Sequence, residues 1–347
     1  MLTLCLGVAT GARMEADSER ASLARKQAAL GVELAQHQKY AEAIRAYQKA
    51  LTLDSGVPGI HLNLGLAYFK SFDFGNAADQ FRMVVAQDPT DFRSQVLLGM
   101  SYFGSQHYAD AASQLERASK MQPGNVQLMY VLAESYLWSG KSEAALPIFR
   151  TLLNTNPDSA QFHMLLAQAL DALGRDQEAM EELELASRAS PDEPSVHLGL
   201  GYLFWKAKRN AEAEREFRRD LTLAPDDFQA MTYLADIELQ KEHLDIAHQL
   251  LQTVVAKTKT IQRAWLDIGT IYARTNRPAD AIEAFKQAIR LEPKRATAHY
   301  RLAKLYQSLG RTADAAEEFR LVKELHTEVN EDLLQKISGP PPTALLQ

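Results

Sequence analysis

Four histidines occupy the same position of a 34-residue period. By residue type and spacing, they are the strongest candidate in this sequence for a metal-binding ladder. They are His61, His163, His197 and His299. Imidazole nitrogens are common metal ligands, but a zinc site needs three or four ligands that converge on one ion. These histidines lie one to three periods apart along the chain. We therefore interpret them as packing histidines between helices, and we predict no metal and no cofactor.

Clustered carboxylates are a second candidate for chemistry. Glu181, Glu182 and Glu184 form one cluster, and Glu317 and Glu318 form another. Carboxylates act as general acid and base when a fold holds them on either side of a substrate, whereas runs of charge on a helix are usually solvated surface. The sequence also contains no glycine-rich phosphate loop, zinc-binding His-Glu-x-x-His helix or Gly-x-Ser-x-Gly elbow. We predict that the protein is not an enzyme.

Composition narrows the classes of partner. The chain has 347 residues, of which 46% are hydrophobic and 24% charged, as is typical of a folded protein with a large core. Its formal net charge is -6, which argues against nucleic acid as a partner because the phosphate backbone is bound largely by Lys and Arg. The lone cysteine, Cys5, excludes an intrachain disulfide and a cysteine-based zinc site.

The N-terminal residues 1–12 are apolar and end in small residues, which resembles the hydrophobic region and cleavage end of a secretory signal. They lack the basic residues that normally precede such a region. The segment is therefore either a signal or an apolar N-terminus without a targeting role, and the compartment stays open between cytoplasmic and exported or periplasmic. No later stretch of 18 or more apolar residues predicts a transmembrane segment.

An ungapped period of 34 residues runs through most of the chain. One column is always small: Gly31, Gly65, Gly99, Ala133, Ala167, Gly201, Ala235, Gly269 and Ala303. A second column is always alanine: Ala43, Ala77, Ala111, Ala145, Ala179, Ala213, Ala247, Ala281 and Ala315. A third, four residues later, is always large and apolar: Tyr47, Phe81, Leu115, Phe149, Leu183, Phe217, Leu251, Phe285 and Phe319. Proline ends six of the periods. Such a period is the signature of a repeat architecture.

These columns resemble the tetratricopeptide repeat family, which has a small residue in its first helix, an alanine and then an aromatic in its second, and a proline at the join. The resemblance covers residues 24–329, although the family's tryptophan survives only as Trp265. It implies an all-α fold, a right-handed superhelical solenoid of nine helix-turn-helix repeats. Small residues in two columns let helices approach closely, and the large column fills the space beside them.

We divide the chain into four segments on this basis. Residues 1–23 are an N-terminal segment, residues 24–327 the nine-repeat array, residues 328–337 a C-terminal capping helix with an apolar stripe, and residues 338–347 a flexible tail with three consecutive prolines. Repeats cannot bury their apolar faces alone, so we expect neighbours to stack in one continuous array.

In the tetratricopeptide family the first helix of each repeat lines a concave groove. Counting each repeat from Ala24, Pro58, Phe92 and onward, the resemblance assigns the second, fifth, ninth, twelfth and thirteenth positions to that groove. From these positions we predict the following partner-binding residues: Phe69, Lys70, Arg93, Met100, Phe103, Tyr130, Glu134, Trp138, Tyr202 and Trp205. The alternative for each apolar residue is that it packs between adjacent repeats.

The content of the groove leads to three functional hypotheses. The first is a non-catalytic scaffold that binds a peptide or helix of a partner protein, because aromatic anchors carry much of the energy of such interfaces. The second is an adaptor in a bacterial envelope, secretion or assembly machine, with the apolar N-terminus as its export element. The third is a glycan-recognising or regulatory subunit of an enzyme. The identity of the partner and the oligomeric state stay open.

Overall fold

The structure is a computed structural model that describes the backbone of residues 3–338 and the side chains of residues 18–326. Over the described backbone the chain forms 18 helices and no strand. The first ten are α1 Thr3–Gln36, α2 Tyr40–Leu53, α3 Ile60–Lys70, α4 Phe74–Gln87, α5 Phe92–Gly104, α6 Tyr108–Met121, α7 Val126–Trp138, α8 Ser142–Thr155, α9 Ala160–Ala172 and α10 Asp176–Ala189. The last eight are α11 Pro194–Lys206, α12 Asn210–Leu223, α13 Phe228–Gln240, α14 Leu244–Lys257, α15 Gln262–Arg274, α16 Pro278–Leu291, α17 Ala296–Ser308 and α18 Thr312–Ser338.

The helices form sequential antiparallel pairs, one pair for each 34-residue period. Odd-numbered helices are the first helices of the repeats, and even-numbered helices are the second. The predicted all-α solenoid of helix-turn-helix repeats is confirmed. The chain divides into two compact units, residues 1–189 and residues 190–347, and the boundary falls between repeats five and six.

The small and large columns meet inside each helix pair, as the sequence predicted. A Cβ added at Gly65 would lie 2.7 Å from Cε1 of Phe81, and one added at Gly201 would lie 2.6 Å from Cδ1 of Phe217. Both phenylalanines are fully buried. The missing side chain of the first helix is therefore the space that the ring of the second helix fills.

The turn between the two helices of each repeat has a left-handed residue that the sequence did not reveal. It recurs with the same period, and only some of the residues are glycine: Gln38, Phe72, Gln106, Gly140, Gly174, Lys208, Glu242, Asn276 and Gly310. At Phe72 the φ angle is 63°, and the side chain is 79% exposed. The helical geometry of the array thus imposes this backbone conformation on residues that do not favour it.

The two end segments join the array as continuous helix. Helix α1 begins at Thr3 and runs unbroken into the first repeat, and α18 runs without a break to Ser338. Residues 328–337 therefore extend the last helix, and their capping role stays a prediction because their side chains lie outside those described. The predicted tail lies outside the described residues, except for the backbone of Ser338. For the signal-like residues 1–12, no side chains are described. Among the described residues, no helix combines the length and hydropathy that crossing a membrane requires.

Candidate partner-binding face

First helices of successive repeats contact one another within each unit, so that their side chains share a common surface. Contacts join α5 with α7 in the first unit, and α11 with α13, α13 with α15, and α15 with α17 in the second. We call this surface the first-helix face, and define it by the second, fifth, sixth, ninth, twelfth and thirteenth positions of each repeat. Every residue predicted for the groove lies on it by this definition.

In the first unit, a chain of aromatic rings reaches the first-helix face at Trp138. The Phe103 ring packs edge-on against Tyr108 with centroids 5.5 Å apart, and Tyr108 lies 6.4 Å from Trp138. Trp138 is 48% exposed and Met100 is 37% exposed. Met100 and Phe103 lie three residues apart on α5 and so share one side of that helix. We call Met100, Phe103, Tyr108 and Trp138 the aromatic patch.

Phe69 behaves differently from the residues of the aromatic patch. Its ring packs edge-on against Phe74 at 5.3 Å and lies 6.5 Å from the buried ring of Phe81. Phe69 is half-buried, whereas the neighbouring Lys70 and the more distant Arg93 are exposed. Phe69 therefore belongs mainly to the packing of its own repeat.

Tyr130 and Glu134 form a half-buried polar pair one turn apart on α7. Gln161 Nε2 donates to the Tyr130 hydroxyl at 2.8 Å, and the Phe162 ring lies 6.0 Å from the tyrosine ring. Burial, reinforced by the hydrogen bond to Glu134, raises the pKa of Tyr130 to about 12. Burial also raises the pKa of Glu134, against the effect of the same hydrogen bond. The Tyr130 hydroxyl therefore donates to Glu134 and accepts from Gln161, which fixes its orientation.

In the second unit, Tyr202 and Trp205 lie in an aromatic stack. Their rings are 6.2 Å apart and nearly parallel, and Trp205 lies 5.1 Å from Tyr233. Tyr233 in turn stacks on the buried Phe217 at 5.4 Å. The structure thus brings the two predicted residues together, and adds Tyr233, which lies at the sixth position of its repeat.

A buried ion cluster adjoins this stack. Trp205 Nε1 donates to Asp236 Oδ2 at 2.7 Å, and Arg263 Nη2 pairs with Asp236 Oδ1 at 3.0 Å. The Arg263 guanidinium lies over the Trp205 ring, 4.4 Å from its centroid. Gln240 Nε2 also donates to Asp236. Trp205 therefore binds Asp236 and Arg263 within the protein in addition to lying on the first-helix face.

Asp267 completes the ion cluster, and its position was not among those predicted for the groove. Its Oδ2 lies 3.6 Å from Arg263 Nε, too far for a hydrogen bond, and neither atom has another partner. Burial raises the pKa of Asp267 to about 7, although the charge of Arg263 opposes the shift. The sequence did offer a signal for Asp267. It is a carboxyl at the sixth position of its repeat, which is apolar in most other repeats.

Three of the four histidines in the ladder have protein partners on both ring nitrogens. His163 Nδ1 lies 2.6 Å from Glu182 Oε2, and its Nε2 lies 2.8 Å from the carbonyl oxygen of Pro157. His197 and His299 repeat the arrangement with a glutamate 19 residues later and a proline carbonyl six residues earlier. Each of these three imidazoles thus ties the loop before its repeat to the second helix. His61 differs, because its Nδ1 lies 2.8 Å from Gln80 Oε1 on the second helix and, among the described residues, no proline carbonyl joins it.

The acidic clusters likewise have local partners. Glu182 and Glu318 bind histidines, and Glu317 pairs with Arg320 at 2.6 Å. No group of three or more His, Cys, Asp or Glu residues within the described part of the chain is arranged to hold a metal ion.

Sequence profiles of known families match most of the array. A profile described as TPR repeat matches residues 31–71, and one described as Tetratricopeptide repeat matches residues 102–169. A third, described as Tetratricopeptide repeat protein 21 C-terminal ARM domain, matches residues 162–336 and so covers just over half of the chain. The chain belongs to the tetratricopeptide repeat family. Among curated protein sequences, none matches it significantly.

Two solved structures share the fold at low sequence identity, and a third, MamA, is a weaker match. A tetratricopeptide repeat protein from Parabacteroides merdae ATCC 43184 is 17% identical, with a TM-score of 0.59 over 71% of this chain and 97% of that chain. A chain of the APC/C hetero-tetramer Cut9-Hcn1 is 14% identical, with a TM-score of 0.53 over 88% of this chain and 67% of that chain. MamA from Desulfovibrio magneticus RS-1 is 17% identical, with a TM-score of 0.45 over 48% of this chain and 95% of that chain.

Membership in the tetratricopeptide family places the chain among repeat proteins that are generally non-catalytic scaffolds. The family does not identify a ligand, because function depends on the particular side chains on a shared fold. For this tetratricopeptide protein those side chains are the aromatic patch of the first unit and the aromatic and charged groups of the second.

Proposed function

We propose that this protein is a non-catalytic scaffold that binds a peptide or helix of a partner protein on the first-helix face of its first unit. The observation that carries the proposal is the aromatic patch. Trp138 and Met100 are exposed on helices that contact each other, while Tyr108 packs against Trp138 and Phe103 packs against Tyr108. An exposed tryptophan on a rigid support is a favourable anchor because little conformational entropy is lost when a partner covers it.

The mode of binding follows from the helical scaffold. Apolar side chains recur along the first-helix face at intervals of one helix, so a partner segment laid across α5 and α7 meets Met100 and then Trp138. An amphipathic helix presents anchors at intervals of three and four residues and suits such a surface. The Tyr130 and Glu134 pair lies on the same helix as Trp138 and offers polar groups to the backbone or side chains of that segment.

The variant that tests this function is Trp138→Ala combined with Met100→Ala. Trp205 is left intact, because its removal would also disturb Asp236 and Arg263. The control is Phe72→Ala with Met83→Ala, which removes an aromatic and a methionine that are more exposed than Trp138 and Met100 and lie outside the first-helix face.

The measurement is affinity enrichment from the native host, followed by titration of each retained protein, once purified, against the three forms. We expect a partner that binds the wild type and the control but binds the patch variant at least about tenfold more weakly, as loss of a tryptophan anchor predicts. Equal binding by all three forms would reject the first-helix face of this unit as the binding surface.

A further inference from the structure

In the second unit, the first helix of the ninth repeat, α17, carries an excess of positive charge. Helix α17 contains Arg301 and Lys304, at the sixth and ninth positions of its repeat, and no Asp or Glu between Ala296 and Ser308. Both side chains are exposed. This local excess stands out because the whole chain has a net charge of -6.

The contacts of these two cations are with neutral oxygens and are long. Arg301 Nη1 donates to Thr270 Oγ1 at 3.4 Å, and Lys304 Nζ donates to Gln307 Oε1 at 3.5 Å. Other arginines of the same unit have carboxylates at much shorter distances. Arg277 lies 2.7 Å from Asp280, for example, and Arg311 lies 2.7 Å from Asp314.

The carboxylates of the neighbouring first helices are engaged elsewhere. Asp236 and Asp267 both face Arg263 in the ion cluster, at 3.0 Å and 3.6 Å. Glu238, on the same helix as Asp236, pairs with Arg218 at 3.1 Å. The charge of Arg301 opposes the rise in the pKa of the buried Asp267 carboxyl. Even so, neither Arg301 nor Lys304 lies within ion-pair distance of these carboxylates, and both side chains are exposed.

An aromatic residue flanks the two cations. Tyr300 is 49% exposed, and its ring packs edge-on against Phe319 at 6.1 Å. Tyr300 and Lys304 lie four residues apart, and Arg301 and Lys304 three apart, so the three side chains emerge on one side of α17. An aromatic beside an arginine and a lysine suits a segment that presents carboxylates and some apolar surface.

We infer that Tyr300, Arg301 and Lys304 form a second docking site, and that it binds an acidic segment of a partner protein with two or more Asp or Glu side chains. This inference rests on the proposed scaffold function, but it concerns a different unit and a different chemistry from the aromatic patch. The Arg301 guanidinium offers paired N–H groups to one carboxylate, and Lys304 offers a point charge to the next.

The test uses the whole chain of 347 residues and a short fluorescein-labelled peptide in which glutamate alternates with alanine. A peptide with glutamine in place of each glutamate is the charge control. By fluorescence anisotropy, we expect the glutamate peptide alone to bind, and more weakly as salt concentration rises. Arg301→Gln with Lys304→Gln should weaken binding about fivefold or more, as the loss of two exposed ionic contacts predicts.

A second double variant separates a site from general attraction. Lys286→Gln with Arg290→Gln removes the same charge from α16, a second helix of the same unit, and should bind the peptide like the wild type. Equal weakening in both double variants, or equal binding of both peptides, would overturn the site. The aromatic patch variant should bind the glutamate peptide normally, so failure of this site and failure of the proposed function give different results.

Discussion

At the scale of single residues, Asp220 is the least expected side chain in the molecule. It occupies a column of second-helix positions that is otherwise apolar: Ala50, Val84, Ala118, Leu152, Ala186, Val254, Ala288 and Val322. Asp220 is fully buried, and neither carboxylate oxygen has a hydrogen-bond partner. Burial, together with the charge of Asp227, raises the pKa of Asp220 to about 6, although His197 opposes the shift. A buried, unpaired carboxylate destabilises the fold.

We expect Asp220→Ala to raise the free energy of unfolding at pH 7 by about 1–2 kcal/mol. The folded protein binds the Asp220 proton more tightly than the unfolded chain does, so the cost of this carboxyl grows as pH rises from 3.8 to about 6. The gain from the substitution should therefore shrink towards pH 4. Urea unfolding at pH 7 and at pH 4 measures the change in the free energy of unfolding, and Asp226→Ala, at an exposed position, is the control. A gain of equal size at both pH values would contradict this explanation.

At the scale of elements, the sequence predicted the helix pairs because packing at the centre of each pair depends on side-chain size. Gly201 and Phe217, for example, are a small residue and a large residue that pack against each other. Because the same pairing recurs every 34 residues, the sequence alone indicates it. The left-handed turns were missed because Gln106 and Lys208 are not the residues that such turns favour. Tyr233 and Asp267 were missed because the side-to-side contacts of first helices, which bring the sixth position onto the shared face, depend on three-dimensional stacking.

The left-handed turns predict a simple stabilising substitution. Gln106 has a φ angle of 63°, and glycine occupies the same turn position at Gly140, Gly174 and Gly310. We expect Gln106→Gly to raise the free energy of unfolding by about 0.5 kcal/mol, since relief of the left-handed strain exceeds the extra entropy of an unfolded glycine. Thermal and urea unfolding provide the measurement. Gln106→Ala retains the Cβ atom and should give no gain; a gain from alanine would point to loss of the glutamine side chain instead.

At the scale of the whole molecule, stability in a repeat array is a sum of local terms, so different parts can unfold at different denaturant concentrations. The unit of residues 190–347 contains the unpaired carboxylate of Asp220 and the incompletely bonded Asp267. Both cost stability in that unit and leave the other unaffected. The second unit should therefore be the first to unfold.

Tryptophan positions make this order measurable. Trp138 lies in the first unit, and Trp205 and Trp265 lie in the second. In a Trp138→Phe variant, fluorescence follows the second unit alone, whereas circular dichroism follows helix throughout the chain. We expect the fluorescence midpoint in urea to fall below the circular dichroism midpoint, and Asp220→Ala to move it upward. Coincident midpoints would show that the chain unfolds as one cooperative body.

The histidine ties bear on how such a chain could have grown. Each tie joins a proline carbonyl six residues before the histidine to a glutamate 19 residues after it. Both partners thus fall within a single stretch of 34 residues that begins at the proline. A tandem duplication of the gene segment encoding that stretch copies the histidine together with both its partners. The new copy therefore contains the histidine, the proline carbonyl and the glutamate of its own tie. Lengthening the array in this way leaves no donor or acceptor of this motif without its partner.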